Sequence, residues 1–127
     1  EGVLRLSTPN LDWVWATHYR AGPWPSEADA LRDCMHLNRA FHGWGHQFLY
    51  NRQMLAAALR SVGFANLVFC RYGKSGLPEL AGLERHETWQ DSQELPHVLI
   101  VEASGRAAPA ALPQAELDEY RRDVGVR

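Results

Sequence analysis

The sequence predicts an α/β fold, and three observations carry that prediction. Residues 66–72 and 96–103 are runs of branched and aromatic side chains with strand composition. Residues 51–62 repeat Met54, Leu55, Ala58, Leu59 and Val62 at helical spacing. Gly63 and Phe64 join that helix directly to the first run, the punctuation of a helix handing its chain to a strand. With a third strand-like segment at residues 3–7, these elements predict a three-layer sheet-and-helix arrangement around one core.

The opening strand rests on Val3, Leu4 and Leu6, and Pro9 ends it because a proline has no amide to continue a ladder. Residues 11–19 follow as a short helix, with Leu11, Val14, Trp15 and Tyr19 at three-and-four spacing. Gly22, Pro23 and Pro25 then make a loop. Ser26 and Asp29, a cap hydroxyl with an acid three residues on, open a second helix that presents Leu31, Met35, Asn38 and Phe41 along one stripe. Gly43 and Gly45 are expected to break any helix around His42 and His46.

Asn51 caps the third helix, and Gly63 takes the left-handed stop with Phe64 as its apolar contact. Residues 73–93 form a long polar connection, and residues 96–103 are apolar on both faces, the pattern of a strand interior to a sheet. The two later strands are expected to pair antiparallel through that connection. Residues 105–111 read as a linker, and residues 115–124 as a charged helix held weakly by Leu117 and Tyr120. The organisation is therefore a folded unit at residues 1–104 and a linker with a tail at residues 105–127.

At 127 residues and 46% hydrophobic composition the chain suits one globular domain or part of one. A formal charge of -2 provides no basic field for phosphate contacts, which argues against nucleic-acid binding. No apolar run approaches the ~20 residues that cross a bilayer, so the expectation is no membrane span and a cytoplasmic protein. Cys34 and Cys70 lie too far apart for a disulfide framework and are expected as buried free thiols. The strand begins almost at the first residue, and Glu1-Gly2 reads as the tail of a turn, which predicts a truncated chain or one half of a split protein.

Candidate chemistry comes from four groups of residues. Asn10 and Asp12 follow the opening strand, where ligands of open α/β sheets gather, so they either meet a substrate or cap the next helix. His42, His46 and Tyr50 recur at four-residue spacing and offer a general base and an orienting hydroxyl for a substrate mouth; structural hydrogen bonding by loop histidines is the alternative. A metal site from Cys34, His36, His42 and His46 lacks the paired-cysteine and helical histidine signatures, and none is expected. The 5 tryptophans, Trp13, Trp15, Trp24, Trp44 and Trp89, supply either an aromatic cage or, by default, core and loop anchors, and Arg85 and His86 of the run Leu83-Glu84-Arg85-His86 either reach an acidic group or belong to a solvated loop charge run.

The order of strand, helices, capped helix, Gly-Phe turn, strand, long loop and final strand resembles the second half of the class I S-adenosylmethionine-dependent methyltransferase fold, a Rossmann-like architecture. Residues 1–11 are similar to that family's fifth strand, and the pattern Leu55, Leu59, Gly63, Phe64 to the helix and turn before its sixth. Residues 41–50, with Gly82 to His86 later, resemble bacterial type-11-like members that act on small molecules. The likeness spans residues 1–104. It implies strands five, six and seven of that fold, the last inserted between the other two, and a methyl transfer to a small-molecule acceptor for which His46 is the best general-base candidate.

The family holds S-adenosylmethionine with a Gly-rich loop after its first strand and an acid closing its second, and neither appears in this sequence. The parent protein is thus expected to use that cofactor and this chain alone to bind none. A free outer edge along residues 3–7 is then expected to pair with a second copy, a missing N-terminal half or the tail. The rival expectation is a non-enzymatic interaction module derived from a split or degenerate methyltransferase, with a zinc-binding domain a distant third.

Overall fold

The structure, a computed structural model, describes residues 2–19, 22–43, 45–85 and 92–125. Its regular elements are β1 (Leu4–Pro9), α1 (Leu11–His18), α2 (Glu27–Asn38), α3 (Arg52–Ser61), β2 (Asn66–Cys70), β3 (Val98–Ser104) and α4 (Gln114–Asp123). A π-helical turn, Arg39–Gly43, prolongs α2, and a 3-10 turn, Pro78–Leu80, lies in the connection between β2 and β3. The fold is mixed α/β, as expected. Among the described residues no helix is long and apolar enough to cross a membrane.

The three strands form one sheet in the order β1-β3-β2, with β3 antiparallel to both neighbours. The strand that comes last in sequence therefore sits in the middle. Its composition explains this, because Leu99, Ile100, Val101 and Ala103 alternate across the pleat and all four are at most 1% exposed. Only a strand covered on both faces hides both sets. On one face Leu99, Val101 and Ala103 meet Leu55 and Leu59 of α3, with Leu6, Leu67 and Phe69 from the flanking strands closing the cluster.

α3 is delimited by two local devices that the sequence announces. Oδ1 of Asn51 accepts from the amide of Met54 at 2.8 Å. At the far end Phe64 N–H donates to the Leu59 carbonyl and Gly63 N–H to the Arg60 carbonyl, the paired bonds of a Schellman stop. Gly63 has φ of +98°, and Phe64 packs on the core beside Leu59. The linker is anchored here too, since Ala107 and Ala110 donate to the carbonyls of Gly63 and Arg60. Tyr120 of α4 lies edge-on to Phe48 at 5.5 Å, and α4 is not a strand on the outer edge of β1.

The other face of the sheet holds a buried ionic cluster where the sequence predicted solvated loop charge. Arg5 and Glu102 are cross-strand neighbours, and Nη1 of Arg5 reaches the Glu102 carboxylate at 3.3 Å. Nε of Arg5 donates to Glu84 at 2.8 Å, so Glu84 in the long connection is drawn onto the sheet rather than solvated. Ser75 Oγ and Cys70 Sγ donate to Glu102, and the Gly73 amide donates to Glu84. Side-chain exposure of the three ions is 4% for Arg5, 4% for Glu84 and 9% for Glu102. These contacts tie the connection to the sheet at Ser75 and Glu84.

A second core cluster, Val14, Ala40 and Leu49, joins α1 to α2 and its π turn, with Leu11, Trp13 and Leu37 packed around it. Here the structure departs from the expected helix face. Leu31 and Met35 are 57% and 64% exposed, Phe41 is exposed, and the buried stripe of the helix runs through Asp33, Leu37 and Ala40. Asp33 escapes a hydrophobicity reading because it is polar; inside the protein it accepts a 3.0 Å hydrogen bond from Trp24 Nε1. Cys34 points outward and is exposed, and Cys70 is half-buried, which corrects the expectation of two buried thiols. Gly43 does not break the helix but lies within the π turn, whereas Gly45 does take a left-handed φ of +73°. Glu1, Trp44, His86 and Trp89 lie outside the described residues.

Two outcomes follow from this packing. A Cβ at Gly63 would be forced into a left-handed conformation and would sit 3.1 Å from the Ala107 carbonyl, so Gly63→Val lowers stability by about 1 kcal/mol or more, measurable in denaturant titration. The second concerns acid. The Arg5 guanidinium and the Gly73 amide hold Glu84 below the ordinary carboxylate range, and Ser75, with Cys70 and Arg5, does the same to Glu102. Folded values below unfolded ones mean the stabilisation is complete above the unfolded carboxylate pKa and disappears as pH falls through the depressed values. Melting midpoints should fall along that limb, and Glu84→Ala, which strips a buried charge of a partner, should cost about 3 kcal/mol at neutral pH.

Candidate functional site

β3 runs antiparallel to β1 and β2, so its amino end lies beside their carboxyl ends. Pro9 faces Val98 across the sheet, and the Asn10 amide donates to the His97 carbonyl at 3.0 Å. Asn10 is the knot of this corner. It is 4% exposed, its Oδ1 caps α1 at the Asp12 amide, its Nδ2 donates to the Pro96 carbonyl at 2.8 Å, and it bridges in parallel to Tyr50. Leu11 N–H adds a 2.8 Å bond to the Tyr50 carbonyl. These connections hold the start of α1, the segment before α3 and the start of β3 together.

Beside that corner opens a cavity of about 700 Å³, within the roughly 300–1,000 Å³ range of small-molecule sites. Its wall combines Pro9, Trp13 and Val98 with His18 at the end of α1, His36 and Arg39 at the end of α2, and His46 and His97. The Trp13 ring stands edge-on between two imidazoles, 5.4 Å from that of His18 and 5.8 Å from that of His97. His18 and His36 rings are 5.9 Å apart. Gly43 matters to this wall because a Cβ there would lie 2.8 Å from Cγ of Arg39, so the π turn gives the Arg39 side chain its room.

His18 is chemically the best-defined group in the cavity. Thr17 Oγ1 donates its single proton to the Trp13 carbonyl at 2.7 Å and also lies 2.8 Å from Nδ1 of His18. With the hydroxyl proton committed, Nδ1 must be the donor of that second contact, which assigns the tautomer and leaves the lone pair on Nε2. Burial lowers the pKa of His18, and the neighbouring charges of His36 and Arg39 lower it further, against an opposing pull from Asp33. A neutral imidazole with an assigned lone pair is what a general base needs.

Of the residues singled out from sequence, Trp13, His36 and His46 line the cavity. Asn10 is a structural cap and tether, Asp12 is exposed, Tyr50 packs against the main core and lies 4.8 Å from the Phe48 ring, and exposed His42 lies 6.5 Å from that of Phe41. His42, His46 and Tyr50 are thus not gathered along one face, because the π turn and the left-handed Gly45 redirect the chain between them. Sequence reasoning passed over His18, His97 and Arg39, and weighed His36 only as a metal ligand. The signal was present in part: each of His18 and His36 closes a helix, and His97 precedes the strand expected to run antiparallel. Among the described residues no group of His, Cys, Asp or Glu side chains could hold a metal ion. Trp24 anchors its loop to Asp33, and Trp15 is half exposed and stacked on Tyr19 at 4.2 Å.

No protein-family model, curated protein or solved structure matches this chain.

The electrostatic reading of His18 has a direct check. Its imidazole should titrate below the ordinary histidine value of about 6.5 in an NMR pH series, and Arg39→Gln should move the midpoint upward by removing a like charge. Because the folded value is the lower one, this group stabilises the fold above the ordinary histidine range and loses that contribution as pH falls through its own midpoint. Nitrogen chemical shifts reporting a proton on Nε2 of neutral His18 would contradict the assigned tautomer.

Proposed function

We propose that the chain is the acceptor-side half of a class I S-adenosylmethionine-dependent methyltransferase fold, serving transfer of a methyl group to a small-molecule acceptor. The observation that carries the reading is the sheet: β3, last in sequence, lies between β1 and β2 and antiparallel to both, the arrangement implied by the resemblance of residues 1–104. The cavity at the carboxyl end of β1 supports it further, since that is the end at which open α/β sheets meet their ligands.

The residues present do not fit the cofactor. β1 passes into α1 through Pro9 and Asn10 rather than a glycine turn, so the helix start that follows it lacks the close backbone approach that such a cofactor needs. This chain's own part is therefore acceptor binding and proton handling. Trp13, with the imidazoles of His18 and His97 beside it, offers a flat apolar seat for a planar acceptor, and Nε2 of His18 accepts the proton from an acceptor O–H or N–H. In this reading His18 takes the base role that the sequence assigned to His46, because Thr17 sets its tautomer and its surroundings lower its pKa. The outer edge of β1, with Val3 and Leu4 exposed beside it, is where the cofactor-holding half or a second copy would add a strand.

Calorimetric titration of the 127-residue chain with S-adenosylmethionine should show no saturable binding, and a dissociation constant in the low micromolar range would overturn the division of labour. Expression from the reading frame extended upstream should yield a protein that binds the cofactor and methylates a ring acceptor, with His18→Ala lowering kcat by about a hundredfold. An upstream frame without a Gly-rich strand-turn-helix would leave the methyltransferase reading without support.

A further inference from the structure

A second cleft adjoins the acceptor cavity, and the two share His97 and Val98 as a common wall. It measures about 380 Å³ and collects Arg52 from the start of α3, then Arg71 and Lys74 from the segment after β2. Among its described lining residues none is acidic. The carboxylates of Glu84 and Glu102 are engaged in the Arg5 cluster and are nearly inaccessible to solvent. Two of the cations are oriented: Arg52 lies 4.6 Å over the Phe69 ring, and an Arg71 Nη2 donates to Gln93 Oε1. In a chain of net charge -2, three cations around one cleft are a local exception.

The dividing wall has two faces. His97 is 8% exposed, with the Trp13 ring at 5.8 Å on the acceptor side and the Tyr72 ring stacked at 6.3 Å on the side of the cationic cleft. A ligand lying across His97 would thus rest an aromatic body against Trp13 while extending a polar group toward Arg71 and Lys74. From this juxtaposition we infer that the acceptor is a planar aromatic compound carrying an anionic oxyacid group, phosphate or carboxylate, whose ring fills the Trp13 cavity and whose anion is held by Arg52, Arg71 and Lys74. Guanidinium groups favour such anions because their planar fork matches two oxygens at once. This inference rests on the Trp13 cavity being the acceptor site.

The test uses the whole chain and four probes, phenethyl alcohol, inorganic phosphate, phenethyl phosphate and phenylpropionate, followed by NMR shift perturbation. At low salt phenethyl phosphate or phenylpropionate should bind at least about tenfold more tightly than phenethyl alcohol, a gain of about 1.4 kcal/mol, and should perturb Trp13, His97 and Lys74 together. The tighter of the two names the anion, phosphate or carboxylate. Arg71 and Lys74 are exposed, so the double variant Arg71→Ala with Lys74→Ala should keep the circular dichroism spectrum, abolish that gain and leave phenethyl alcohol binding unchanged. Equal affinity for charged and neutral ring probes, or a gain that survives in the double variant, would overturn the anion seat while phenethyl alcohol shifts at Trp13 and His18 kept the acceptor cavity. If no ring probe perturbed Trp13, the inference and the acceptor reading would fall together, even were inorganic phosphate to bind at Lys74.

Discussion

Every other feature of this fold depends on β3 lying between β1 and β2. A strand whose side chains are apolar on both faces has no stable place at the rim of a sheet, and Leu99, Ile100, Val101 and Ala103 are buried accordingly. The position imposes a demand at Glu102, the one carboxylate of the strand, which must lie inside the protein. Arg5 answers it from the neighbouring strand, Cys70 from the end of β2, Ser75 from the segment that follows, and Glu84 balances the second reach of Arg5. Burying three ions costs several kcal/mol in desolvation, which good hydrogen bonding offsets only when each oxygen is engaged. The cluster therefore specifies the path of the long connection more than it adds to stability, since the connection must bring Ser75 and Glu84 to defined points on the sheet.

The same insertion creates the functional end of the molecule. Because β3 runs against its neighbours, its first residues come up beside the last residues of β1 and β2, and His97 is held between Trp13 on one side and Tyr72 on the other. The Asn10 tether then fixes α1 at that corner and with it His18. Neither cavity belongs to a single element. Both are products of strand direction, with the helix ends supplying the side chains.

This explains which parts of the molecule were legible in the sequence. The α3 segment was readable in detail because its cap, its apolar face at Leu55 and Leu59, and its glycine stop are local signals that tertiary packing does not overrule. The interior place of residues 96–103 was readable from their two-sided apolarity. The packing face of α2 was not, because a satisfied buried aspartate looks like a surface residue until Trp24 is seen above it, while Leu31 and Met35 look like core. Arg5 and Glu84 are separated by 79 positions and nothing local marks them as a pair. His42, His46 and Tyr50 misled for a related reason: equal spacing implies a shared face only while the helix continues regularly, and a π turn followed by a left-handed glycine does not preserve that register.

His18 shows how little of a site's chemistry is stored in residue identity. In sequence it is one of 6 histidines and sits at the end of a short helix, where a protonated imidazole would be favoured by the carbonyl end of the helix dipole. The fold reverses that preference. Burial against Trp13 disfavours the charged ring, His36 and Arg39 arrive from α2 with charge of the same sign, and Thr17 commits the proton of the neutral form to Nδ1. Asp33 would restore the cation, but its carboxylate is occupied by the Trp24 indole and its pull ranks behind the other influences. The packing of α1 on α2 therefore does more than close a small core around Val14 and Ala40: by bringing two helix ends together it disfavours the protonated form of His18.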